Sequence, residues 1–187
     1  MTVSKRLLRT LSLALAAIAL TIGLGQATAS ASVCGKSRRP PEQLTAHQLR
    51  TSVLCLVNRA REGHGLHRLR FNRKLRESAT AHSHVMIASG LLSHYGPGGS
   101  TVTSRVSRSG YLRHASHYFV AENIGAGMGR AYGSPFGMVR LWMHSPPHRA
   151  NILDPSLRDF GVGIARGDVV NGSSRGVTYT LVFGSRG

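Results

Sequence analysis

Apolar residues recur at helical spacing along most of the chain and give way to strict alternation near its end. Leu49, Val53, Leu56, Val57 and Ala60 fall on one face at the helical advance of about 100° per residue. Thr45 and Gln48 form a capping box ahead of them, and Leu44 with Leu49 forms a hydrophobic staple. This predicts a first helix to about Glu62, stopped at Gly63 or Gly65. A short turn through Leu66 and Leu69 leads to Asn72, an N-cap for a second helix over Arg73 to Ser89. Leu75, Ala79, His82 and Met86 share its inner face, and Gly90 closes it. Arg105 to Ser109 reads as a short helical turn. Ser134-Pro135 opens a further helix carrying Phe136, Val139, Leu141, Trp142 and Met143, which stops before Pro146-Pro147. His148 to Leu153 adds one more turn. Phe160 to Ala165 then alternates with period two, and Thr178 to Phe183 is β-branched and aromatic-rich. With the polar stretch Gly167 to Gly176 between them, they predict an antiparallel hairpin with a long loop, and a third strand is expected near Phe119 to Ala126. Helices first and strands late give an α+β layered class.

The start of the chain breaks this pattern. Lys5, Arg6 and Arg9 precede a run of about fourteen apolar and small residues, Leu11 to Leu24, too short for the ~20 of a spanning helix. Ala27-Thr28-Ala29 and Ala29-Ser30-Ala31 are small-x-small cleavage sites. Residues 1–31 are therefore expected to be a removable export leader, 32–43 a lead-in carrying Cys34, and 44–187 one domain. Val33, not a small residue, precedes Cys34, which disfavours a lipoprotein. No second apolar stretch after the leader is long enough to span a bilayer. The expected location is outside the cytosol, free or at the cell envelope.

Charge narrows the partners. Taking Lys5, Arg6 and Arg9 from the 24 cations leaves 21 against 7 acids, a net +14 in place of +17. Such a balance favours anionic neighbours such as cell-wall polymer or acidic lipid, although an arginine-rich but merely solvated surface has the same composition. No aromatic-interleaved basic motif points to specific nucleic-acid reading. Outside the cell, two cysteines pair. Cys55 falls among Thr51, Ser52 and Arg59, away from the apolar face of the first helix, where a tail bearing Cys34 can reach it. A Cys34–Cys55 disulfide is predicted, worth roughly 3 kcal/mol in the chain-entropy model.

Several segments together resemble the CAP superfamily of cysteine-rich secretory, antigen 5 and pathogenesis-related 1 proteins, in its bacterial secreted branch. They are Leu56-Val57-Asn58-Arg59-Ala60-Arg61, His82-Ser83-x-x-Met86, Leu92-Ser93-His94, Ala121-Glu122-Asn123-Ile124-Gly125, Trp142 to Leu153 with Ser145-Pro146-Pro147-His148-Arg149, Gly161-Val162-Gly163 and Tyr179 to Gly184. The resemblance implies a three-layer α-β-α sandwich with a central antiparallel sheet. It also implies a cleft where two histidines and acids bind a divalent ion such as zinc. By motif these are His94, His148 and Glu122; the second acid position, three residues after the tryptophan, holds Ser145 instead. An extracellular or envelope binding module is implied, with lipid, sterol-like molecules or wall polymer as ligand. A metal-assisted hydrolase of peptides or envelope esters and a structural envelope domain with an inert cleft are the other readings.

Two imidazoles and one carboxylate are the donors of a catalytic zinc site, which keeps one position for water. Without metal, Glu122 between histidines has the makings of a general base. The same three residues equally make a buried hydrogen-bonded network joining sheet to helices. His82 reads as a core histidine and His84 as solvated. His144, beside the vacated acid position, is a substitute ligand. Asn123 and Asn151 are expected to satisfy backbone groups around the cleft. Ser145 lies near His148 but lacks a nucleophile-elbow motif. Gly125, Gly127 and Gly129 read as a mobile cleft rim, and His64, His67, His114 and His117 as loop residues.

Overall fold

The computed structural model describes residues 34–187; the expected export leader and its expected cleavage sites lie outside the described residues. Five helices and four strands follow in the order α1 (Ala46–Glu62), β1 (Arg70–Phe71), α2 (Arg73–Ser89), α3 (Val102–Arg108), β2 (Tyr118–Gly127), α4 (Pro135–His144), α5 (Pro146–Leu153), β3 (Asp159–Asp168) and β4 (Ser173–Arg186). The caps read from sequence are in place. The Thr45 side chain accepts from the Gln48 amide and that of Gln48 from the Thr45 amide, at 3.2 and 3.0 Å. Asn72 accepts from the amides of Lys74 and Leu75, and Ser134 from that of Gly137.

The strands form one sheet in the order β1-β3-β4-β2. β4 is central and antiparallel to both β2 and β3. Two features depart from the sequence reading. First, β1 stands where the pattern predicts only a turn. It pairs parallel to β3 through Asp159 and Phe160, so the sheet is not wholly antiparallel. Two residues are too few to display a periodicity. Second, the loop between β3 and β4 is short. The ladder runs on through Asp168 and Ser173 with an irregularity at Gly167, leaving a turn over 169–172. Buried Asp168 organises that turn by accepting from the Val170 and Asn171 amides and the Asn171 side chain.

Layering follows from side-chain alternation. Phe160, Val162 and Ile164 of β3 and Val177, Tyr179, Leu181 and Phe183 of β4 pack with Leu49, Val53 and Val57 of α1, Met138 and Trp142 of α4 and Ile152 of α5. On the other face, Val182 packs with Leu75 and Ala79 of α2, Val106 of α3 and Tyr111. This is the three-layer α-β-α sandwich. Gly161 and Gly163 show why α2 lies so close. A Cβ on Gly161 would come within 2.1 Å of the Arg76 nitrogen, and one on Gly163 within 2.2 Å of the Ala79 carbonyl carbon.

The lead-in is fastened to this body. Cys34 and Cys55 are disulfide-bonded, with Cα atoms 5.6 Å apart. Phe136 donates its amide to the Ser37 carbonyl at 2.9 Å, and Arg166 donates to the carbonyls of Pro41 and Leu44. Ser52, placed by periodicity on the outward side of α1, is nevertheless buried.

Candidate functional site

Strand β2 is a sheet edge, and an edge strand leaves a row of backbone groups unpaired. Here side chains from the helices close it. Trp142 donates its indole N–H to the Ile124 carbonyl at 3.0 Å. Asn151 donates to the Glu122 carbonyl at 3.3 Å and to the Asn123 side-chain oxygen at 2.9 Å, and Asn123 donates to the His148 carbonyl at 3.0 Å. Asn123 and Asn151 thus tie β2 to α5.

Glu122 sits in the middle of this edge with its side chain 2% exposed. Its carboxylate meets three groups. Nη2 of Arg105, on α3, donates to Oε1 and Oε2 at 3.0 and 2.8 Å. Nδ1 of His94 lies 2.9 Å from Oε1, and because a carboxylate accepts, that nitrogen carries the proton. Nε2 of His82 lies 3.8 Å from Oε1 but is 2.9 Å from the Ser93 carbonyl, which fixes its proton there. His82 is fully buried; burial pushes its pKa down, outweighing the pull of Glu122. It is the core histidine its spacing predicts. Arg105 also reaches behind the site: Nη1 donates to the carbonyls of His94 and Ser100 at 3.0 and 2.8 Å. One guanidinium therefore holds both the carboxylate and the loop that presents His94.

His148, at the start of α5, approaches from the other side of β2. Its Nδ1 is 2.8 Å from the Ser145 hydroxyl. Burial, then the neighbouring His94, lowers its pKa, so the imidazole is neutral at pH 7. His94 and His148 thus share an electrostatic environment across the strand edge, but only His94 bonds Glu122. His144 stands apart, exposed, with Nδ1 2.8 Å from the Arg140 carbonyl of its own helix. Gly125 and Gly127 are not a mobile rim: both lie within β2, where added Cβ atoms would meet Met138 and Tyr132 at 2.5 and 2.7 Å.

The donors do not fit a resident divalent ion. Among the described residues no group of three or more His, Cys, Asp or Glu side chains is arranged to hold one. Both Glu122 oxygens already face a guanidinium, and Ser145 stands where a second acid would be needed.

Arg105 is the residue that sequence reasoning misses, since in the sequence it only opens a helical turn. A buried carboxylate needs a counter-charge, so some cation over β2 is implied. Among 24 lysines and arginines nothing singles this one out.

A three-layer sandwich with histidines and an acid gathered at the edge strand of its sheet defines the class of protein. The chain belongs to the CAP family, the cysteine-rich secretory protein family, which matches over residues 54–183. It is similar to the protein YkwD of Bacillus subtilis (strain 168), described as uncharacterized, with 29% identity over 135 residues; these cover 72% of this chain and 49% of that one, so the chain spans about half the relative's length. Among solved structures, an extracellular protein containing a SCP domain from Bacillus anthracis str. Ames matches with TM-score 0.59 and 23% identity, over 75% of this chain and 43% of that one. An outer surface protein from Borrelia burgdorferi matches with TM-score 0.59 and 15% identity, over 72% of this chain and 90% of that one. These likenesses share the fold.

Proposed function

We propose that this chain is an extracellular or cell-envelope binding module that docks on anionic envelope material through its basic surface. The observation that carries the reading is unbalanced charge. Among the described residues, ion pairs to carboxylates engage only Arg59, Arg68, Arg73 and Arg105 of the arginines. The 7 acids of the chain cannot neutralise the rest, and such an excess attracts anionic polymer or acidic lipid. The leader-like start and the disulfide suit an oxidising exterior. Relatives of the same fold described as an extracellular and an outer surface protein support that location.

The Glu122 site supports binding over hydrolysis. A carboxylate whose two oxygens are both bonded to a buried guanidinium has no free oxygen within reach of a water or substrate proton, which is the geometry a general base needs. The reading is tested by incubating the chain with envelope fractions at rising salt. Retention that falls steeply with ionic strength and survives Glu122→Gln is expected; salt-independent retention, or turnover of peptide or ester substrates abolished by Glu122→Gln, overturns it.

A further inference from the structure

We infer that a groove between α1 and α2 is a phosphate-binding site, suited to the phosphodiester groups of a flexible anionic polymer. The groove has a volume of about 570 Å³ and is lined by Arg50 of α1 and by Arg76, Glu77, Thr80, Ala81 and His84 of α2. It is a consequence of the fold. β1 covers only Asp159 and Phe160 of β3, while Gly161 and Gly163 draw the α2 backbone at Arg76 and Ala79 down onto β3. Arg166 of the same strand anchors the start of α1 through the Leu44 and Pro41 carbonyls. Side chains of two helices from opposite layers thus line one groove beside a strand that β1 leaves mostly uncovered, and each helix contributes an arginine.

Neither guanidinium has a protein partner that accounts for its charge. Among the described residues the Arg50 side chain makes no hydrogen bond or ion pair, and its Nε is enclosed without an acceptor. Arg76 has only the Phe71 ring, 5.6 Å away. The one acid in the lining, Glu77, is bonded to Arg73 at 3.0 Å. Burial and the repulsion of Arg76 lower the Arg50 pKa, as expected for like charges held together. Arginine stays protonated regardless, so an anion between the two relieves the repulsion. One fork satisfies the two oxygens of a carboxylate; two forks with the Thr80 hydroxyl and the exposed His84 match the three or four oxygens of a phosphate. No large exposed apolar side chain lines the groove, so nothing there inserts among acyl chains, which favours a phosphate on a flexible chain over one packed in a bilayer.

The polymer assignment rests on the envelope-binding reading above; the phosphate site does not. The test titrates the oxidised chain with inorganic phosphate, a glycerol-phosphate oligomer and phosphatidylglycerol vesicles, with Arg50→Gln and Arg76→Gln against the control Arg59→Gln on the far part of α1. Saturable binding of phosphate and oligomer that each groove variant weakens about tenfold or more, and the control leaves nearly intact, is expected. In chloride the groove variants should be at least as stable as the parent, since a repulsion is removed, and should lose phosphate-dependent stabilisation. Equal loss in the control, or no saturable phosphate binding, overturns the site even if envelope retention persists. Phosphate and vesicle binding that depends on Arg50 and Arg76, without oligomer binding, overturns the polymer assignment.

Discussion

Arg105 Nη2 bonds both carboxylate oxygens of Glu122, at 3.0 and 2.8 Å, with the two side chains 7% and 2% exposed. A pair so thoroughly removed from water draws little net stability from its own attraction, but it is costly to break. Arg105→Gln should therefore lower the unfolding free energy by about 3–5 kcal/mol, because Glu122 is left buried and charged. The double variant Arg105→Gln, Glu122→Gln should recover much of that loss. Urea unfolding of the parent, both single variants and the double variant gives the coupling energy directly. Additive losses would show that the contact is not the organising interaction of the edge.

The same pair governs metal binding. With Arg105 present, zinc should leave the unfolding midpoint unchanged, since an ion would have to displace a fixed positive charge from Glu122. Arg105→Gln frees the carboxylate beside His94 and should make stability zinc-dependent, an effect that His94→Ala then removes. A stoichiometric zinc ion that stabilises the unaltered chain would refute the counter-charge account.

Most of the fold is legible in the sequence because its signals are local. The capping box at Thr45 and Gln48, the Asn72 and Ser134 caps and the Gly90 stop each act within a few residues, and each delimits its helix as read. β1 is not legible, since Arg70 and Phe71 become a strand only because Asp159 and Phe160 arrive beside them. The site divides in the same way. His94, Glu122, Asn123, His148 and Asn151 stand in recognisable motifs, whereas Arg105 reaches Glu122 across 17 positions from a helix with no motif of its own. His144 neighbours the cleft by adjacency in sequence alone; the helix ends there and its ring turns back to Arg140.

His82 and His148 make stability depend on pH in a definite direction. Both have folded-state pKa values pushed below 6.5, by burial first. Between that lowered value and 6.5 the unfolded chain binds more protons than the folded one, so stability rises with pH through this window. It should be complete above about pH 6.5 and decline as the pH falls below it. His82→Gln keeps a donor for the Ser93 carbonyl and removes the titration, so its stability profile should be flatter from pH 6.5 downward. Parallel profiles for the two proteins would assign the acid sensitivity elsewhere.

Gly163 tests the contact between layers. An added Cβ would lie 2.2 Å from both the carbonyl carbon and oxygen of Ala79 and 2.4 Å from the Thr80 nitrogen, all backbone atoms that cannot swing aside. Gly163→Ala should cost at least about 3 kcal/mol, the upper range for overpacking. Because α2 must lift from β3, it should also disturb the groove that Arg76 and Thr80 line. A loss under about 1 kcal/mol would mean that α2 rides farther from the sheet than its glycine contacts indicate.

The disulfide offers a last, separable prediction. Cys34 and Cys55 enclose a sequence separation of 21, and the bond holds the lead-in on the outward side of α1. Reduction should lower stability by roughly 3 kcal/mol if the effect lies in the unfolded chain, as loop-closure entropy implies. The lead-in has other attachments, at Ser37 and through Arg166 to Pro41, and neither uses sulfur. The reduced chain should therefore keep its native secondary structure and its Glu122 network while unfolding at lower denaturant. Denaturation of the parent with and without reductant, beside Cys34→Ser, Cys55→Ser, measures this. Equal midpoints would mean that the lead-in is held by its hydrogen bonds alone; loss of the fold on reduction would mean that the hydrogen bonds depend on the bridge.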